Sequence, residues 1–414
     1  MTWSQDAPLV LSGYQDTSPP VTLSESEVSY LTVELPKRVN FSVFPLRLFR
    51  VRGGTKIQQR GVAGAIALPS GRLIHLEPTF GSQNFIYLWL YAQDFSHRYI
   101  GGLSVPSSPD AAVIDAFGHV FTAELGKLIQ NGPRRQYREW TQVTTQPKGQ
   151  VLLQSQVRRK PPHLDLLCRE RRRTYDTPLN RGICRAAHIL LQMITIPEIR
   201  NRLDRNLRSF KDYVSTSEVS LSEFDSVELT RLEHEYSRIY PMAQQVLHNS
   251  YHGNLWSGDS TYSCTVFVRM STVFERAVQR AFAVAAKEHE LMTKDEDTFT
   301  GYLTGGRFVM IPDITVLDGK NPIAVIDAKF KSLDNKPVNA DLYQISTYQN
   351  ALAVPGMLVY PEQSLSHDRY VVDGAYPLHA AQFPIGSPYP SFQTFVDAIE
   401  EWAFDALEQL LSEH

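Results

Sequence analysis

The first quarter of the chain is built from short apolar runs that Gly, Pro and Lys separate. Between residues 25 and 95, four of these runs have the length and alternation of β-strands: VSYLTVEL, SVFPLRLFRV, GVAGAIALP and RLIHLEPTF. The next apolar stretch, SQNFIYLWLYAQDF, predicts a buried helix that opens at Ser82 or Asn84, and a second helix is predicted to end at Gly132. Residues 1–24 are polar and carry prolines, which indicates a tail or an edge segment.

Two further changes of pattern divide the rest of the chain. Residues 131–250 begin with a basic block that PKG and RKPPH interrupt, which predicts strands and loops, and then continue as largely helical sequence. Residues 251–414 open with the loop YHGNLWSGDSTYSC and close with an amphipathic helix, whose apolar stripe is Phe392, Phe395, Val396, Ile399, Ala403, Ala406, Leu407 and Leu410. We therefore expect an α/β and α+β multidomain protein: a β-rich N-terminal domain with helices (25–130), a basic and helical middle region (131–250) and a C-terminal domain (251–414).

Composition narrows the class of protein. Hydrophobic residues make up 43% and charged residues 21% of the 414, and no apolar run approaches the ~20 residues of a membrane span. Three widely spaced cysteines argue against a disulfide framework and favour a reducing compartment. We expect a cytoplasmic protein that does not enter a membrane.

The basic charge is concentrated in one region, although the net charge is only −3. From Asn131 to Arg185 there are 13 Lys and Arg residues against 4 Asp and Glu residues. Such a block suits neutralisation of DNA phosphates, and a solvated arginine-rich face is an equally good interpretation. The candidates for DNA contact are Arg134, Arg135, Arg158, Arg159, Arg171, Arg172, Arg307, Lys331 and Tyr348.

Candidate catalytic chemistry lies in IPDITVLDGKNPIAVIDAKFK, where acids interrupt two apolar strands. Asp-Gly between the strands is a strong hairpin signal, and strand alternation places Asp327 and Lys329 on the same face. A four-residue loop from Asp318 to Asn321 would pair Asp313 with Ile326, on the wrong face for Asp327. A loop one residue longer or shorter, or a bulge, would pair Asp313 with Asp327 at a Cβ separation of roughly 4.5–5.5 Å. We predict this second register because the chemistry requires it.

Two carboxylates so close together in an apolar hairpin repel each other and lose hydration, and a divalent cation removes both costs. Oxygen ligands with open positions favour Mg²⁺, with Mn²⁺ as the alternative. The pKa of Lys329 should rise beside two carboxylates, so this lysine is suited to orienting the attacking water and stabilising charge on a phosphate. The competing interpretation is a pair of edge-strand acids with a solvated lysine.

Two helices flank this hairpin in the sequence. Upstream, STVFERAVQRAF is predicted to open a helix with Glu275 in its first turn, where it would form a capping box with Thr272 or serve as a further metal ligand or water anchor. Downstream, NADLYQISTYQNALA places Gln344 and Tyr348 as i,i+4 neighbours on one helix face. Either side chain could reach Lys329 or a scissile phosphate, and either could be ordinary helix surface.

This order of motifs resembles the PD-(D/E)XK nuclease superfamily. Within it, the chain resembles McrC, the nuclease subunit of McrBC modification-dependent restriction systems, from about residue 55 to residue 352. The resemblance rests on FVRMSTVFERAV, MIPDITVL, VIDAKFK and DLYQISTYQNAL, and earlier on GVAGAIALPSGRLIHLEPTF, NFIYLWLYAQDF and RRRTYDTPLNRGICRAA. The chain departs from the family at Thr79, where lysine is frequent, and at PKGQV, where an Arg-Gly pair is common.

The resemblance implies a DNA endonuclease with a restriction-endonuclease-like domain over residues 251–414, in which helices flank a mixed sheet. The residues carried over for catalysis are Asp313, Asp327, Lys329, Glu275 and Gln344, with Lys329 as the catalytic lysine. Those carried over for the metal are Asp313, Asp327, Glu275 and the carbonyl of Ala328.

The resemblance also implies a partner, a hexameric AAA+ GTPase of the McrB type that recognises and translocates double-stranded DNA with modified cytosine. The N-terminal β region would engage and stimulate this partner. The chain has no GxxxxGK[ST] phosphate loop, which agrees with a motor supplied by another subunit. Self-dimerisation through the nuclease domain is a further expectation. Two alternative functions stay open: a stand-alone repair or recombination nuclease, and a non-catalytic adaptor that activates an AAA+ GTPase.

Overall fold

The computed structural model describes most of the chain, in fourteen ranges. The described residues are 8–12, 17, 20–38, 46–78, 80–93, 112–158, 165–214, 219–248, 265–295, 299–303, 306–331, 339–362, 370–372 and 376–412. Thr79, Arg159 and the predicted loop at 251–264 therefore lie outside the described residues. The chain divides into two compact units, the first formed by Met1–Val120 and Asn249–His414 and the second by Phe121–His248.

The strands are numbered in chain order. They are β1 Leu9–Ser12, β2 Leu46–Val51, β3 Gly54–Gln59, β4 Val62–Ala67, β5 Leu73–Glu77, β6 Gln136–Thr144, β7 Gln150–Val151, β8 Leu166–Thr174, β9 Thr265–Arg269, β10 Met292–Asp295, β11 Phe299–Leu303, β12 Gly306–Met310, β13 Ile314–Asp318, β14 Asn321–Ala328, β15 Gly356–Pro361, β16 Tyr370–Val372 and β17 Leu378–Phe383.

The helices follow the same convention. They are α1 Glu25–Ser29, α2 Leu35–Arg38, α3 Ser82–Ala92, α4 Val113–Asn131, α5 Leu153–Val157, α6 Pro178–Met193, α7 Pro197–Lys211, α8 Leu221–Asp225, α9 Ile239–His248, α10 Met270–Glu288, α11 Asn339–Leu352 and α12 Phe392–Ser412. A π-helical turn, Tyr30–Glu34, joins α1 to α2, and a 3₁₀ helix, Arg231–Tyr236, precedes α9.

The segment VSYLTVEL is helical, so the prediction of a strand there was wrong. Ser24 and Glu27 form a capping box, in which the Ser24 amide donates to the Glu27 carboxylate at 2.7 Å. Glu27 is also paired with Arg72, far along the chain. The cap and this distant partner outweigh the strand preference of the β-branched and aromatic residues that follow.

One sheet of the first unit joins strands from both ends of the sequence. Its order is β1-β5-β4-β9, with β1 at the edge and parallel to β5. Strand β9, from the C-terminal part of the chain, pairs with β4 in antiparallel fashion. The predicted segments 25–130 and 251–414 thus contribute to the same compact unit, whereas 131–250 corresponds closely to the second unit.

The second sheet of the first unit is mixed, with the order β10-β13-β14-β15-β17-β16 among the described residues. Strands β13 and β14 form an antiparallel hairpin, and β14, β15 and β17 run parallel to one another. Helix α11 connects β14 to β15 and contacts both strands. Helices α3, α10 and α12 pack together, and every predicted apolar position of α12 is buried.

The second unit holds the basic block and the helices that follow it. The block folds mainly as the three-stranded sheet β6-β8-β7 with the short helix α5, which confirms the expectation of strands and loops. Helices α6 to α9 confirm the helical pattern that follows the block. Over the described part of the chain, no helix combines the length and apolarity needed to cross a membrane.

Candidate active site

The hairpin of β13 and β14 contains the bulge that the chemistry requires. Asp318 pairs with Asn321 across a two-residue loop, and Gly319 in that loop has φ +60°. The register then shifts, because Leu317 pairs with Pro322 but Val316 pairs with Ala324. Ile323 is therefore the extra residue on β14.

The bulge decides which residues face each other at the far end of the hairpin. Beyond it, Ile314 pairs with Ile326, so the next position places Asp313 opposite Asp327. The predicted register is confirmed, through a bulge rather than an odd-length loop. An uninterrupted ladder would have sent the two carboxylates to opposite faces of the sheet.

Direct contacts join the two strands at this point. Asp313 Oδ2 accepts a hydrogen bond from the Ala328 amide at 2.7 Å, and Lys329 Nζ forms an ion pair with Asp327 Oδ2. Because the N–H and C=O of one strand residue point toward the same neighbour, the Ala328 carbonyl also faces the Asp313 side. The carboxylates, the carbonyl and the ammonium group thus converge at one end of the hairpin.

Burial sets the electrostatics of this end. The Asp327 side chain is fully buried, and within the described structure its Oδ1 has no hydrogen-bond partner. Burial, together with the negative charge of Asp313, raises the pKa of Asp327 to about 6. Burial works in the opposite direction on Lys329, but the Asp327 carboxylate outweighs it and raises the pKa of that lysine. Lys329 is therefore a protonated hydrogen-bond donor rather than a base.

The donor set fits a hard divalent cation. Mg²⁺ binds proteins through one or two carboxylates and keeps several waters, which suits two acids and a carbonyl. The orphaned Asp327 Oδ1 is a buried anionic oxygen of the kind such an ion satisfies. Among the described residues, no group of three or more His, Cys, Asp or Glu side chains could hold a metal, so Glu275 does not complete a three-carboxylate set.

Glu275 lies in the second turn of α10, not the first. The helix begins at Met270, directly after β9, so the first-turn placement was wrong, and of the two interpretations of Glu275 the capping box with Thr272 is excluded. Half-buried Glu275 lies one turn before Gln279, whose Nε2 donates to the backbone oxygen of Asp313 at 3.2 Å. The face of α10 that carries Glu275 therefore meets the Pro-Asp segment.

Gln344 and Tyr348 are neighbours on α11, as predicted. Gln344 is exposed, and its Nε2 donates to the Tyr348 hydroxyl at 2.9 Å. The Tyr348 ring is only 8% exposed, and its hydroxyl donates to the backbone oxygen of Ile311 at 3.4 Å. The buried position of Tyr348 leaves little surface for the DNA contact that we expected of it.

Three residues at this site were missed in the sequence: Asp341, Tyr360 and Gln279. Asp341, near the start of α11, is buried and accepts hydrogen bonds from Lys331 at 2.7 Å and from the Tyr360 hydroxyl at 2.8 Å. The acid could have been noted as a helix-opening residue, but its partners come from β15 and from the segment that follows β14. Gln279 was missed for the same reason, because its partner lies 34 residues away.

Two of the other candidates for DNA contact, Arg171 and Arg172, lie on β8 of the basic sheet, the sheet formed by β6, β7 and β8, and Arg135 directly precedes β6. Tyr137 is 63% exposed, and the guanidinium groups of Arg171 and Arg173 lie 5.9 and 5.6 Å from its ring centre. Arg135 stacks on Tyr175 at 4.3 Å, and Arg172 pairs with Glu170 at 2.6 Å. Planar cations beside exposed aromatic rings form a surface suited to a nucleic-acid backbone and bases.

The remaining arginine candidates give less information about a DNA-binding surface. The Arg134 amide donates to the Tyr236 hydroxyl at 2.7 Å, and Arg158 is exposed at the end of α5. Arg159 lies outside the described residues, and for Arg307 only the backbone, in β12, is described.

Comparison with known proteins identifies the family. The model of the McrBC 5-methylcytosine restriction system component matches residues 57–361, which is most of the chain. The chain belongs to the McrBC family. Comparison with curated protein sequences gives no match.

Two solved structures are similar to this chain. The McrC chain in a half-complex from the tetradecameric assembly of Thermococcus gammatolerans McrB AAA+ hexamers is similar, with a TM-score of 0.66 and 16% identity over 96% of this chain and all of that one. A cryo-EM structure of the McrBC complex from the same organism matches with a TM-score of 0.47 and 18% identity, over 66% of this chain and 86% of that one. The first match shows a shared fold over nearly the whole chain.

Proposed function

We propose that this McrBC-family chain is the Mg²⁺-dependent DNA endonuclease subunit of a modification-dependent restriction complex. It would hydrolyse phosphodiester bonds in DNA that carries modified cytosine. The observation that carries the proposal is the bulged hairpin, which sets Asp313 opposite Asp327 with Lys329 beside them. A mixed sheet with this hairpin supports a restriction-endonuclease-like domain in the C-terminal part of the chain.

Each residue of the hairpin has a distinct task in this mechanism. Asp313, Asp327 and the Ala328 carbonyl would hold the metal, which when bound polarises the phosphate and acidifies a water molecule. Lys329, kept protonated by its carboxylate neighbour, would donate hydrogen bonds to the phosphate oxygens and the attacking water. Glu275 and Gln344 would support the water or the substrate from α10 and α11.

An AAA+ GTPase partner belongs to the same proposal. The Thermococcus gammatolerans assembly contains McrB AAA+ hexamers with bound McrC, and this chain shares the McrC fold. We propose that the N-terminal β region binds and stimulates such a hexamer, and that exposed arginines of the basic sheet contact DNA. Self-dimerisation through the nuclease domain stays a prediction.

Substitutions at the hairpin test the nuclease. Asp327→Ala and Lys329→Ala should abolish Mg²⁺-dependent DNA cleavage by the assembled complex, while assembly and GTPase stimulation persist. Asp318→Ala is a matched control, because this acid is exposed at the end of β13 in the same hairpin. Wild-type cleavage by both active-site variants would refute the proposal.

The same assays separate the alternative functions. Efficient Mg²⁺-dependent cutting by the chain alone would indicate a stand-alone repair or recombination nuclease. GTPase stimulation by the wild-type chain without any metal-dependent cleavage would indicate a non-catalytic adaptor.

A further inference from the structure

Helix α11 reaches both segments that carry the proposed metal ligands. At one point the Tyr348 hydroxyl donates to the backbone oxygen of Ile311, two residues before Asp313. At its first turn, Asp341 binds the Lys331 ammonium group, two residues after Lys329. One rigid helix therefore contacts the chain just before the first carboxylate and just after the second.

Apolar packing already holds this helix in place. Ile345 is fully buried in a cluster with Val325 and Leu358 of the sheet, and Leu342 packs against the same cluster. A buried polar group adds an unfavourable desolvation cost that an apolar side chain at the same position would avoid. The two polar contacts therefore need an explanation other than attachment of the helix.

Both carboxylate oxygens of Asp341 are hydrogen-bonded. Its two oxygens accept from Lys331 at 2.7 and 2.6 Å, and the Tyr360 hydroxyl donates to one of them at 2.8 Å. Tyr360 is fully buried on β15, the strand beside β14, so the acid is fixed to the sheet as well as to the chain that leaves Lys329. A charged hydrogen-bond network of this kind restricts position more tightly than apolar contact does.

Gln344 lies between these two contacts on the same helix. Its amide donates to the Tyr348 hydroxyl, so that hydroxyl accepts from Gln344 while it donates to Ile311. The Tyr348 hydroxyl is thus held by Gln344 of its own helix and by the backbone of the segment that leads to Asp313.

We propose that α11 fixes the separation of the Asp313 and Asp327 carboxylates, with Tyr348 and Asp341 as positioning residues. This inference rests on the proposed metal site for its functional meaning, but not for its geometry. It replaces a direct role of Tyr348 at the DNA with an indirect one, exerted through the backbone at Ile311.

The Ala328 amide offers a direct readout that needs neither metal nor cleavage. It donates to Asp313 Oδ2 at 2.7 Å, so its protection from hydrogen exchange reports how well Asp313 is held against β14. In Tyr348→Phe and Asp341→Asn, exchange at Ala328 should accelerate about fivefold, the effect of weakening one hydrogen bond. Mn²⁺ affinity, measured by electron paramagnetic resonance without DNA, should fall about tenfold in both variants.

Gln349→Met is the matched control on the same helix. Gln349 is also buried, but its Nε2 donates to the backbone oxygen of Pro377 at 2.7 Å, away from the hairpin. This variant should lose a comparable hydrogen bond and yet leave Ala328 exchange and Mn²⁺ affinity at wild-type values. If Tyr348→Phe and Asp341→Asn behave like Gln349→Met in the exchange experiment, the positioning role is refuted.

Failure of the proposed function has a different signature. A wild-type chain that binds no Mn²⁺ at Asp327 would refute the metal site, and the exchange experiment would still decide the role of α11. Should Asp341→Asn not fold, Tyr348→Phe removes only one hydroxyl group and carries the same test.

Discussion

The β13–β14 hairpin and the basic sheet of β6, β7 and β8 contain the same small motif in two settings. Asp327, near the end of β14, and Lys329, directly after that strand, form an ion pair, and Glu170 and Arg172 on β8 do the same. The first acid is fully buried, whereas the second pair lies at the surface. The pKa of Asp327 is raised, whereas the pKa of Glu170 is lowered.

Burial accounts for the opposite signs. It raises the pKa of Asp327 to about 6 in spite of the neighbouring ammonium group, and Asp313 adds to the effect. The hydrogen bond from Arg172 lowers the pKa of Glu170, where water still solvates the carboxylate. The surface acid Glu170 is neutralised by its partner Arg172. The buried cluster has two carboxylates beside Lys329, and a cation can neutralise the remaining negative charge.

Moving the buried acids apart should have the largest effect. Deleting Thr315 shortens β13 by one residue while the bulge on β14 stays, so Asp313 would face Ile326 instead of Asp327. We expect cleavage by the complex to fall by about 10³-fold or more, because the metal site contributes several kcal/mol to the reaction. The measurement is single-turnover DNA cleavage, with circular dichroism to verify folding.

Thr315→Val is the control for that deletion. It keeps the residue count and hence the register, so it should cleave DNA at nearly the wild-type rate. A folded deletion variant with wild-type cleavage would show that the pairing of the two acids is irrelevant.

Removing the charge of Asp327 without moving it should have the next largest effect. Because its pKa is raised, the ionised form opposes folding above pH 6, and that cost disappears as the pH falls toward the usual range of an aspartic acid. Asp327→Asn should therefore increase the free energy of unfolding at pH 8 by about 3 kcal/mol, with the gain fading by pH 4. Urea unfolding in the presence of a chelator measures this.

Asp318→Asn, at an exposed position at the end of β13, is the control and should leave the free energy of unfolding at pH 8 near its wild-type value. Mg²⁺ should reduce the advantage of Asp327→Asn, because the ion stabilises the charged form. An Asp327→Asn chain that is less stable than wild type at pH 8 would contradict the account of the buried charge.

Local patterns predicted much of the fold. The apolar stripe of α12, the strand at Val62–Ala67 and the helix that ends before Gly132 follow from periodicity and capping residues alone. VSYLTVEL failed because its β-type composition competes with a capping box at Ser24, and because Glu27 of that box pairs with Arg72. A partner more than forty residues away leaves no trace in a local pattern.

The site could likewise be predicted only where its residues lie close together in the sequence. The chemistry of two acids required one register, and the bulge at Ile323 provides it, but no local signal located that bulge. The turn of α10 that holds Glu275 depends on where this helix begins. It begins at Met270, directly after β9, and β9 pairs with the distant strand β4. Asp341 and Tyr360 could not be found, because their meaning arises only when α11 and β15 lie side by side.

The exposed basic sheet, the second member of the comparison, can be tested through its arginines. Arg171→Ala should weaken DNA binding uniformly across sequences and reduce the slope of log affinity against log salt by about 1. Thr141→Ala, at an exposed position of β6 in the same sheet, should leave the slope unchanged. The measurement is fluorescence anisotropy over a series of salt concentrations, and an unchanged slope in Arg171→Ala would remove this surface from the DNA path.

The smallest effect is expected at Glu170, the surface counterpart of Asp327. Its pKa is lowered by the hydrogen bond from Arg172, so whatever stability the charged form contributes is present above the usual pKa and lost only as the pH falls through the lowered one. Between about pH 5 and pH 8 the urea midpoint of Glu170→Gln should therefore run parallel to that of wild type. A midpoint difference that grows with pH in this range, as expected for Asp327→Asn, would mean that burial does not separate the two pairs.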